Sequence, residues 1–422
     1  MAGKRSLGWQ LGMSAYWFAI SMKWFVLLTA VLPTQVEQFA GDDKATAWGT
    51  VVFIGALWAL MGPALFGALS DRLGRWRPFL GMGAAVTTLA LFVLPQSTEL
   101  WHLVLGYLLL QVSDDMAQGP YAALIPALVG PDQRGRASGV MGLLAMSAQI
   151  AGGIGAFALS PNLNAIYLLL AGVTVFCAAI TLLTVRETPP KVETKKRPFA
   201  VAFVLGWIEP WLSADFRWVW FTRFANAVGF YLIYNYLQYF LADVVREFDI
   251  FGVTIASVGS GTPDEVKDAA FKAVFILALV ISLFGAFGAV MGGRMADKVG
   301  RKRTVYLSGA LMALPVIPFV FVTDFTTIAL LAIPFAIGYG AYQASDWALA
   351  ADVMPDKGAL AKDMGIWQSC VAAPQLVSGG FGAAVAAGNR SSMGLGYSMA
   401  FGFAAVAFAV AVVFVSRIRG ST

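Results

Sequence analysis

The sequence predicts an all-α membrane protein in which twelve transmembrane helices form two six-helix bundles related by pseudo-symmetry. The first observation is composition: 59% of the 422 residues are hydrophobic and only 13% are charged, against about 25% charged residues in soluble proteins. The second is that apolar runs of about 20 residues, the length that crosses a bilayer, recur along the whole chain. The third is a motif of the first half that returns in the second half.

Hydropathy defines the candidate helices, and the basic residues define their orientation. Most of the 29 lysines and arginines lie in the loops on the side of the two termini, and the opposite loops hold Lys44, Arg246, Lys267, Lys272 and Arg390. Because basic loops stay in the cytoplasm, both termini are predicted to be cytoplasmic in a multi-pass protein of the inner or plasma membrane. The candidate helices are residues 9–32, 46–69, 79–95, 100–127, 137–159, 163–185, 217–244, 270–291, 304–322, 325–350, 363–386 and 395–416.

Two segments are too polar to span the membrane. Residues 186–216 form a basic, proline-rich linker, in which residues 199–211 could lie on the membrane surface as an interfacial helix. Residues 245–269, rich in glycine, serine and acids, are expected to form a mobile outer loop. The predicted organisation is a six-helix bundle over residues 1–186, a linker over 187–215 and a second bundle over 216–422.

The sequence also excludes several classes of function. The net charge of +5 comes from short basic clusters between apolar runs, so nucleic-acid binding is not expected. The chain has no nucleophile elbow, no ATP-binding loop and no His/Cys/carboxylate cluster with metal-ligand spacing. We therefore expect no enzyme activity, no cofactor and no metal site, and transport would run on ion or substrate gradients.

An internal repeat relates the two halves of the chain. The run GALSDRLGRWR starts at Gly67, and the similar run GRMADKVGRKR starts at Gly293. At the same shift, Gln149 pairs with Gln375. Two copies of a six-helix unit enter the membrane from the same side, and a parallel repeat of this kind forms a central cavity by rocking one half against the other.

The motif Gly-x-Leu-x-Asp-Arg-x-Gly-Arg between the second and third predicted helices resembles the signature of the major facilitator superfamily. A degenerate copy lies between the eighth and ninth helices. The resemblance implies a secondary transporter whose first, fourth, seventh and tenth helices line the substrate path. It also implies a cytoplasmic gate formed by Gly67, Asp71, Arg72, Gly74, Arg75, Asp297, Gly300 and Arg301.

A narrower resemblance covers the first five helices. SDRLGRWRPFL at 70–80 and QGPYAALIPALVGPDQR at 118–134 are similar to segments of glycoside/cation symporters and sucrose transporters. In those proteins, an aspartate about two turns before the Gln-Gly-Pro is the expected proton acceptor. Here Gln111 occupies that position, and the acids Asp114 and Asp115 stand one turn later.

Five ionisable side chains lie well inside apolar helices: Lys23, Asp114, Asp115, Arg223 and Asp346. Each costs about 2.5–3.5 kcal/mol at the centre of a membrane helix, so these side chains must face a cavity or one another. They occupy the first, fourth, seventh and tenth helices, which are equivalent positions in the repeat. Other polar residues follow the same helical spacing. The candidates for substrate binding are Gln111, Gln118, Arg223, Asn226, Tyr234, Asn235, Tyr339, Gln343, Gln149 and Gln375.

The sum of these buried charges suggests coupling to protons. Two cations and three aspartates leave one negative charge, which one proton would neutralise. We hypothesise that a fourth-helix aspartate, with Asp114 favoured over Asp115, pairs with Lys23 in one state and is protonated in another. The proton-coupling set is Asp114, Asp115, Lys23 and Asp346.

Structural alternatives stay open for each of these residues. Lys23 and its aspartate could form only a packing pair. Arg223 either extends to the membrane surface or contacts the substrate. Asp346 is either a second protonation site or a hydrogen-bond partner of a residue such as Gln368. Gln149 and Gln375 either line the cavity or brace their helices.

These observations predict a transporter with a small-molecule substrate, H⁺ as the coupling ion, the lipid bilayer as its surroundings and a monomeric state. The favoured cargo is a small polar solute such as a sugar or glycoside, moved by alternating access. One alternative is a proton-driven antiporter that exports drugs or metabolites. Another is a scaffold of the same fold that binds a pigment, lipid or partner protein without transport.

Overall fold

The first half of the chain consists of six helices that follow the predicted order. The computed structural model describes residues 5–129, 134–186, 207–353 and 360–418. A short helix, Leu124–Leu128, lies between the fourth and fifth long helices. The long helices are helix 1 (Leu7–Val26, a π turn Leu27–Val31 and Leu32–Ala40), helix 2 (Lys44–Ala59 and Gly62–Leu73), helix 3 (Arg77–Val93), helix 4 (Leu100–Ala122), helix 5 (Arg134–Leu159) and helix 6 (Leu163–Thr184).

The second half repeats this arrangement and adds a β-hairpin. The hairpin pairs strand β1 (Phe248–Ile250) with strand β2 (Val253–Ala256) in antiparallel fashion. The helices are helix 7 (Ala214–Phe240 and a π turn Leu241–Val245), helix 8 (Pro263–Val299), helix 9 (Arg301–Phe319), helix 10 (Phe325–Val353), helix 11 (Leu360–Gly380 and Gly382–Ser391) and helix 12 (Leu395–Phe414).

This architecture confirms the predicted fold class. Within the described residues, eight stretches are long and apolar enough to cross a membrane, and one of them contains helices 1 and 2 together. Helices 4 and 7, which carry three of the predicted buried charges, are not among those eight stretches. We call the membrane face at which helix 1 begins and helix 12 ends the terminal face, and the other the opposite face.

The repeated motif ends a helix in the same way in both halves. Gly74 follows helix 2 with a φ of 61°, and Gly300 follows helix 8 with a φ of 98°. Glycine adopts a positive φ without the steric cost that other residues incur. The Gly74 N–H donates to the Asp71 carbonyl at 3.2 Å, which closes the end of helix 2. The repeat in the sequence is therefore also present in the backbone conformation at these two positions.

Helices 1 and 7, which occupy equivalent positions in the two halves, each contain a π turn on the side of the opposite face. A π turn closes a hydrogen bond over five residues instead of four, so it adds one residue to the helix at that point. Beside the turn in helix 1, the Tyr234 hydroxyl of helix 7 donates to the Phe25 carbonyl at 2.8 Å. The two halves are therefore joined where helix 1 departs from regular α geometry.

The structure corrects the prediction of a loop over residues 245–269. This segment contains the β-hairpin and the start of helix 8, which begins at Pro263 instead of residue 270. The Thr262 and Glu265 side chains form a capping box at this end of helix 8. The box stabilises the first turn of the helix, which is too polar to lie in the lipid. Of the interfacial helix predicted at 199–211, residues 199–206 lie outside the described residues, and Glu209–Leu212 forms a 3-10 helix.

The halves also meet at two other pairs of helices. Helices 2 and 11 touch through glycine, because a Cβ on Gly49 would lie 2.4 Å from the Gly379 carbonyl oxygen. Between helices 5 and 8, the Ser282 hydroxyl donates to Gln149 Oε1 at 3.4 Å. Small residues at such contacts let helix backbones approach closely in a membrane.

Candidate functional site

An ion pair between helices 1 and 4 lies at the centre of the first half. The Lys23 ammonium group contacts Asp114 Oδ1, and both side chains are almost completely buried. The Trp24 indole N–H donates to the other carboxylate oxygen of Asp114. Both oxygens of this aspartate are therefore engaged, one by a cation and one by a neutral donor.

Asp115, the next residue, is in a different environment. Gln111 Nε2 donates to Asp115 Oδ1 at 3.1 Å, whereas Oδ2 is buried without a hydrogen-bond partner among the described residues. A Cβ on Gly62 would lie 2.5 Å from that oxygen and 2.7 Å from the indole nitrogen of Trp58. Helix 2 is interrupted just before Gly62, and this break brings its two parts around Asp115.

A second ion pair connects helices 7 and 10. Arg223 Nη1 contacts Asp346 Oδ2, and the Tyr342 hydroxyl donates to the other oxygen at 3.3 Å. The Arg223 guanidinium carbon lies 3.9 Å from the ring centroid of Trp367 on helix 11. Arg223 is 7% exposed, so the expectation that it extends to the membrane surface is wrong. Asp346 pairs with this arginine and with Tyr342 instead of a helix 11 residue such as Gln368.

The two ion pairs are equivalent in topology but not in depth. Each joins the first and fourth helices of its half. Lys23 lies 16 residues after Leu7, where helix 1 begins, and Arg223 lies nine residues after Ala214, where helix 7 begins. At about 1.5 Å per residue, the first pair lies about 10 Å farther along its helix from the terminal face.

The other residues predicted to bind substrate have different surroundings. Some lie half-buried on helices 4 and 10, and others contact neighbouring helices of the same half or of the other half. Tyr339 and Gln343 are hydrogen-bonded at 3.2 Å on helix 10, and Gln118 lies half-buried on helix 4. Asn226 and Asn235 instead contact Met312 of helix 9 and Ser378 of helix 11. Gln149 contacts Ser282, Gln375 contacts Tyr231, and Tyr234 bridges to Thr29 and Phe25 of helix 1.

The predicted gate residues of the first half lie at the terminal face. Gly67 is buried against helix 4, since a Cβ on Gly119 would lie 3.0 Å from the Gly67 nitrogen. Asp71 is partly buried, and Arg72 and Arg75 are exposed. Of the second copy, Gly300 is described above, whereas the side chains of Asp297 and Arg301 lie outside the described part of the chain.

A cluster of charged side chains joins the halves at the opposite face. We call Glu37, Lys44, Asp243 and Lys267 the opposite-face cluster. Lys44 Nζ lies 2.9 Å from Glu37 Oε1 in its own half and 2.9 Å from Asp243 Oδ1 in the other half. Lys267 of the second half lies 3.3 Å from Glu37. With the contact of Arg390 to Asp43 at 2.6 Å, three ionic contacts among the described residues cross the boundary between the halves.

Sequence reasoning missed the neutral partners of the buried charges and this cluster. Trp24 follows Lys23 directly in the sequence, so its position beside the ion pair could have been predicted. Gly62 precedes a proline inside a predicted helix, which indicates a break. Of the cluster, Lys44 and Lys267 count as ordinary loop charges in the sequence, because their partners come from helix ends far apart in the chain.

Replacing Lys44 with Gln should open the opposite face. The change leaves Glu37 and Asp243 without their shared cation, so the closed state loses about 1 kcal/mol or more. The measurement is the spin-label distance between Asp42→Cys and Ser392→Cys in a chain carrying Cys177→Ser and Cys370→Ser. We expect the population with longer distances to grow several-fold.

The matched control is Lys272→Gln, because Lys272 lies 2.6 Å from Asp268 on the same helix and its pair does not cross between the halves. An unchanged distance distribution in the Lys44 variant would contradict a role of the cluster in closure.

Replacing Arg223 with Met should lower the free energy of unfolding by about 3–5 kcal/mol, because Asp346 is left buried without its cation. Chemical denaturation in detergent measures the change, and Asp346→Asn in the same chain should recover most of it. Arg217→Met, an exposed arginine at the start of helix 7, should have little effect. Equal losses for the two arginine variants would show that the ion pair is not responsible.

Comparisons with known proteins agree with this architecture. The chain is 35% identical to the class B tetracycline resistance protein of Escherichia coli over 102 residues, which are 24% of this chain and 25% of that protein. It is 28% identical to the multidrug resistance protein MdtG of Escherichia coli over 181 residues, 41% of this chain and 43% of that protein. The matched segments thus span less than half of either relative.

The structure is similar to that of a bacterial homolog of the human lysosomal transporter Spinster, solved in an inward-facing and unoccupied conformation. The TM-score is 0.62 at 15% identity, with 97% of this chain and 94% of that chain covered. The family model of the Major Facilitator Superfamily matches residues 11–263 and 249–421. Since these matches cover both six-helix halves, the chain belongs to the Major Facilitator Superfamily.

Proposed function

We propose that this transporter is a proton-coupled exporter of small amphipathic molecules in which Asp115 carries the proton. The observation that supports the proposal is the distribution of buried charge. Two of the three buried aspartates contact a cation, and Asp115 is the third. Among the described residues, no Lys, Arg or His lies within ion-pair distance of Asp115, and one of its oxygens has no partner.

Burial without a cation favours the protonated form of Asp115. An ionised carboxylate taken out of water costs several kcal/mol unless it is paired, whereas the protonated acid can donate a hydrogen bond. Water reaching Asp115 from one face would favour release of the proton on that side. If a conformational change moves the water access of Asp115 from one membrane face to the other, this residue binds and releases one proton per cycle.

Asp114 would take a different part in this cycle. Its two oxygens are held by Lys23 and Trp24, so this carboxylate is already engaged in an ion pair. The negative charge also lies beside the carboxyl group of Asp115, where two ionised acids would repel each other. Because Asp114 is paired with Lys23, we expect this half to carry one proton per cycle and not two.

The surfaces around the ion pairs favour a flat, apolar cargo over a sugar. Phe230 stacks with Tyr234 and with Tyr339 at ring-centroid distances of 5.2 Å. Asn226 and Asn235, which would be needed for the many hydroxyl groups of a sugar, contact residues of helices 9 and 11. The two Escherichia coli relatives are both named as resistance proteins, which also favours export.

Import of a sugar or glycoside with protons is the second candidate. The motifs at 70–80 and 118–134 support it, as do the half-buried amides of Gln118 and Gln343 on the two cavity helices. The same proton site serves either direction, so the site geometry does not depend on this choice. In either case we propose a location in the cell membrane with cytoplasmic termini and a monomeric state.

Replacing Asp115 with Asn should remove proton coupling and leave binding intact. In proteoliposomes, accumulation driven by a pH gradient should fall at least about tenfold, a coupling loss of ordinary size. Exchange of labelled for unlabelled cargo at equal pH should stay near that of the parent. Glu99→Gln, an exposed acid at the start of helix 4, is the matched control. Gradient-driven accumulation that survives in the Asp115 variant would contradict the assignment.

The class of cargo is tested separately. Cells without their own drug exporters should accumulate several-fold less ethidium when they express this protein, because aromatic rings provide stacking surfaces for a planar cation. Uptake of labelled disaccharides into proteoliposomes under an imposed pH gradient is the competing measurement. Sugar uptake with unchanged ethidium accumulation would establish the second candidate instead.

A further inference from the structure

The β-hairpin between helices 7 and 8 supplies no residue to the proton site or to the opposite-face cluster. Its strands β1 and β2 are joined by a two-residue turn, Phe251 and Gly252. The large side chains at this tip are apolar and little covered by the protein, since Phe251 is 76% exposed and Val253 is 63% exposed. Single exposed apolar residues are common on protein surfaces, so their meaning depends on where the tip lies.

One face of the hairpin is apolar and the other is polar. The pairing register places Ile250 opposite Val253, and Asp249 opposite Thr254. Because successive side chains of a strand point to opposite faces, Phe248, Ile250 and Val253 share the apolar face. Phe248 is buried at the base of this face, and Val253 is uncovered at its end. Asp249 and Thr254 are exposed on the polar face. The apolar face therefore continues beyond the area that the protein itself covers.

The first turn of helix 10 holds the hairpin in place. Phe248 and Phe325 pack edge to face, with their ring centroids 5.5 Å apart. The Thr326 hydroxyl donates to the Asp249 carbonyl at 2.9 Å, and the Phe251 N–H donates to the same hydroxyl oxygen at 3.3 Å. The tip of the hairpin is thus fixed beside Thr326.

Helix 10 shows at which level of the membrane the tip lies. Asp324, an exposed acid, stands just before this helix, and an apolar span begins at Phe325. Leu330 lies one turn beyond Thr326 on the same face of the helix, and it is 46% exposed, as expected for a face in contact with lipid. A charged residue marks the aqueous side, so the first turn of helix 10 lies at the boundary between water and lipid. The hairpin tip, which is bonded to that turn, lies at the same boundary.

The backbone conformation at the tip is unfavourable for the residue that occupies it. Phe251 has a φ of 50°, and Gly252 has a φ of 80°. A turn with two positive φ angles normally uses asparagine, aspartate or glycine, because a bulky side chain is strained there. The Phe251 ring is mostly exposed, so packing against the protein does not compensate for this strain. Contact of the ring with lipid would supply that compensation.

We propose that this hairpin is a membrane anchor, which inserts Phe251 and Val253 into the bilayer interface at the opposite face. The partner of the apolar face is the lipid surface itself, and Asp249 and Thr254 face the water. Removal of the two apolar side chains from water stabilises this arrangement. Because Thr326 connects the tip to helix 10, the anchor fixes the depth at which that helix enters the membrane. The anchor does not depend on proton coupling or on which cargo is moved.

Spin-label accessibility in lipid vesicles tests the anchor. The variants Phe251→Cys, Val253→Cys and Thr254→Cys are made in the full chain carrying Cys177→Ser and Cys370→Ser, labelled, and reconstituted into phosphatidylcholine vesicles. The label collides with oxygen, which concentrates in lipid, and with a water-soluble nickel chelate. The ratio of oxygen to nickel collisions should be several-fold higher at positions 251 and 253 than at position 254, the matched control on the polar face.

Two results of this measurement would overturn the proposal. Equal ratios at the three positions would show that lipid does not distinguish the two faces of the hairpin. Rare collisions with both reagents at positions 251 and 253 would show that protein, and not lipid, covers the tip.

A second pair of variants tests the ring of Phe251. Phe251→Asn removes the ring and introduces a residue that tolerates a positive φ. With the label at Val253→Cys, this change should lower the oxygen-to-nickel ratio several-fold. Thr254→Asn, on the polar face of the same hairpin, is the matched control and should leave the ratio near that of the parent. Equal ratios in the two asparagine variants would contradict an anchoring role of Phe251.

Discussion

The cost of placing charge in a medium of low dielectric constant governs this structure. An unpaired charge at mid-membrane depth is costly, and the protein contains two buried ion pairs, each linking the first and fourth helices of its half. The pairs are completed by neutral groups: Trp24 and Tyr342 donate hydrogen bonds, and Trp367 presents its ring. Among the buried acids of the described residues, Asp115 then remains without a cation, and the proposed proton coupling rests on it.

The contacts between the halves differ in kind from those inside them. Within each half, the ion pairs are deeply buried, and removal of one partner leaves an uncompensated charge. At the opposite face, Lys44 and Lys267 are partly exposed and contact carboxylates near water. Breaking these ion pairs therefore costs little free energy, because water solvates the separated charges. Breaking an ion pair inside a half is therefore costlier than breaking one of these ionic contacts between the halves.

The helices themselves could be predicted from the sequence because an apolar run of sufficient length has one stable form in lipid. Residues 245–269 could not, since polarity shows that a segment lies outside the membrane without showing what it forms there. The buried charges were found by the same hydropathy argument, but their partners were not. Arg223 and Asp346 are 123 residues apart, and no local pattern indicates that they meet. The proposed role of Asp115 depends on the break in helix 2, which places Gly62 against it.

The π turns of helices 1 and 7 have a consequence for how the boundary separates. A helix that relaxes from π to α geometry loses one residue from that turn, and the portion beyond it rotates by about 100° relative to the rest. In helix 1 that portion carries Glu37, and in helix 7 Asp243 lies inside the turn. A change of register in either helix would swing its carboxylate away from Lys44. The opposite face can then open by a rotation confined to the end of one helix, before the whole bundle tilts.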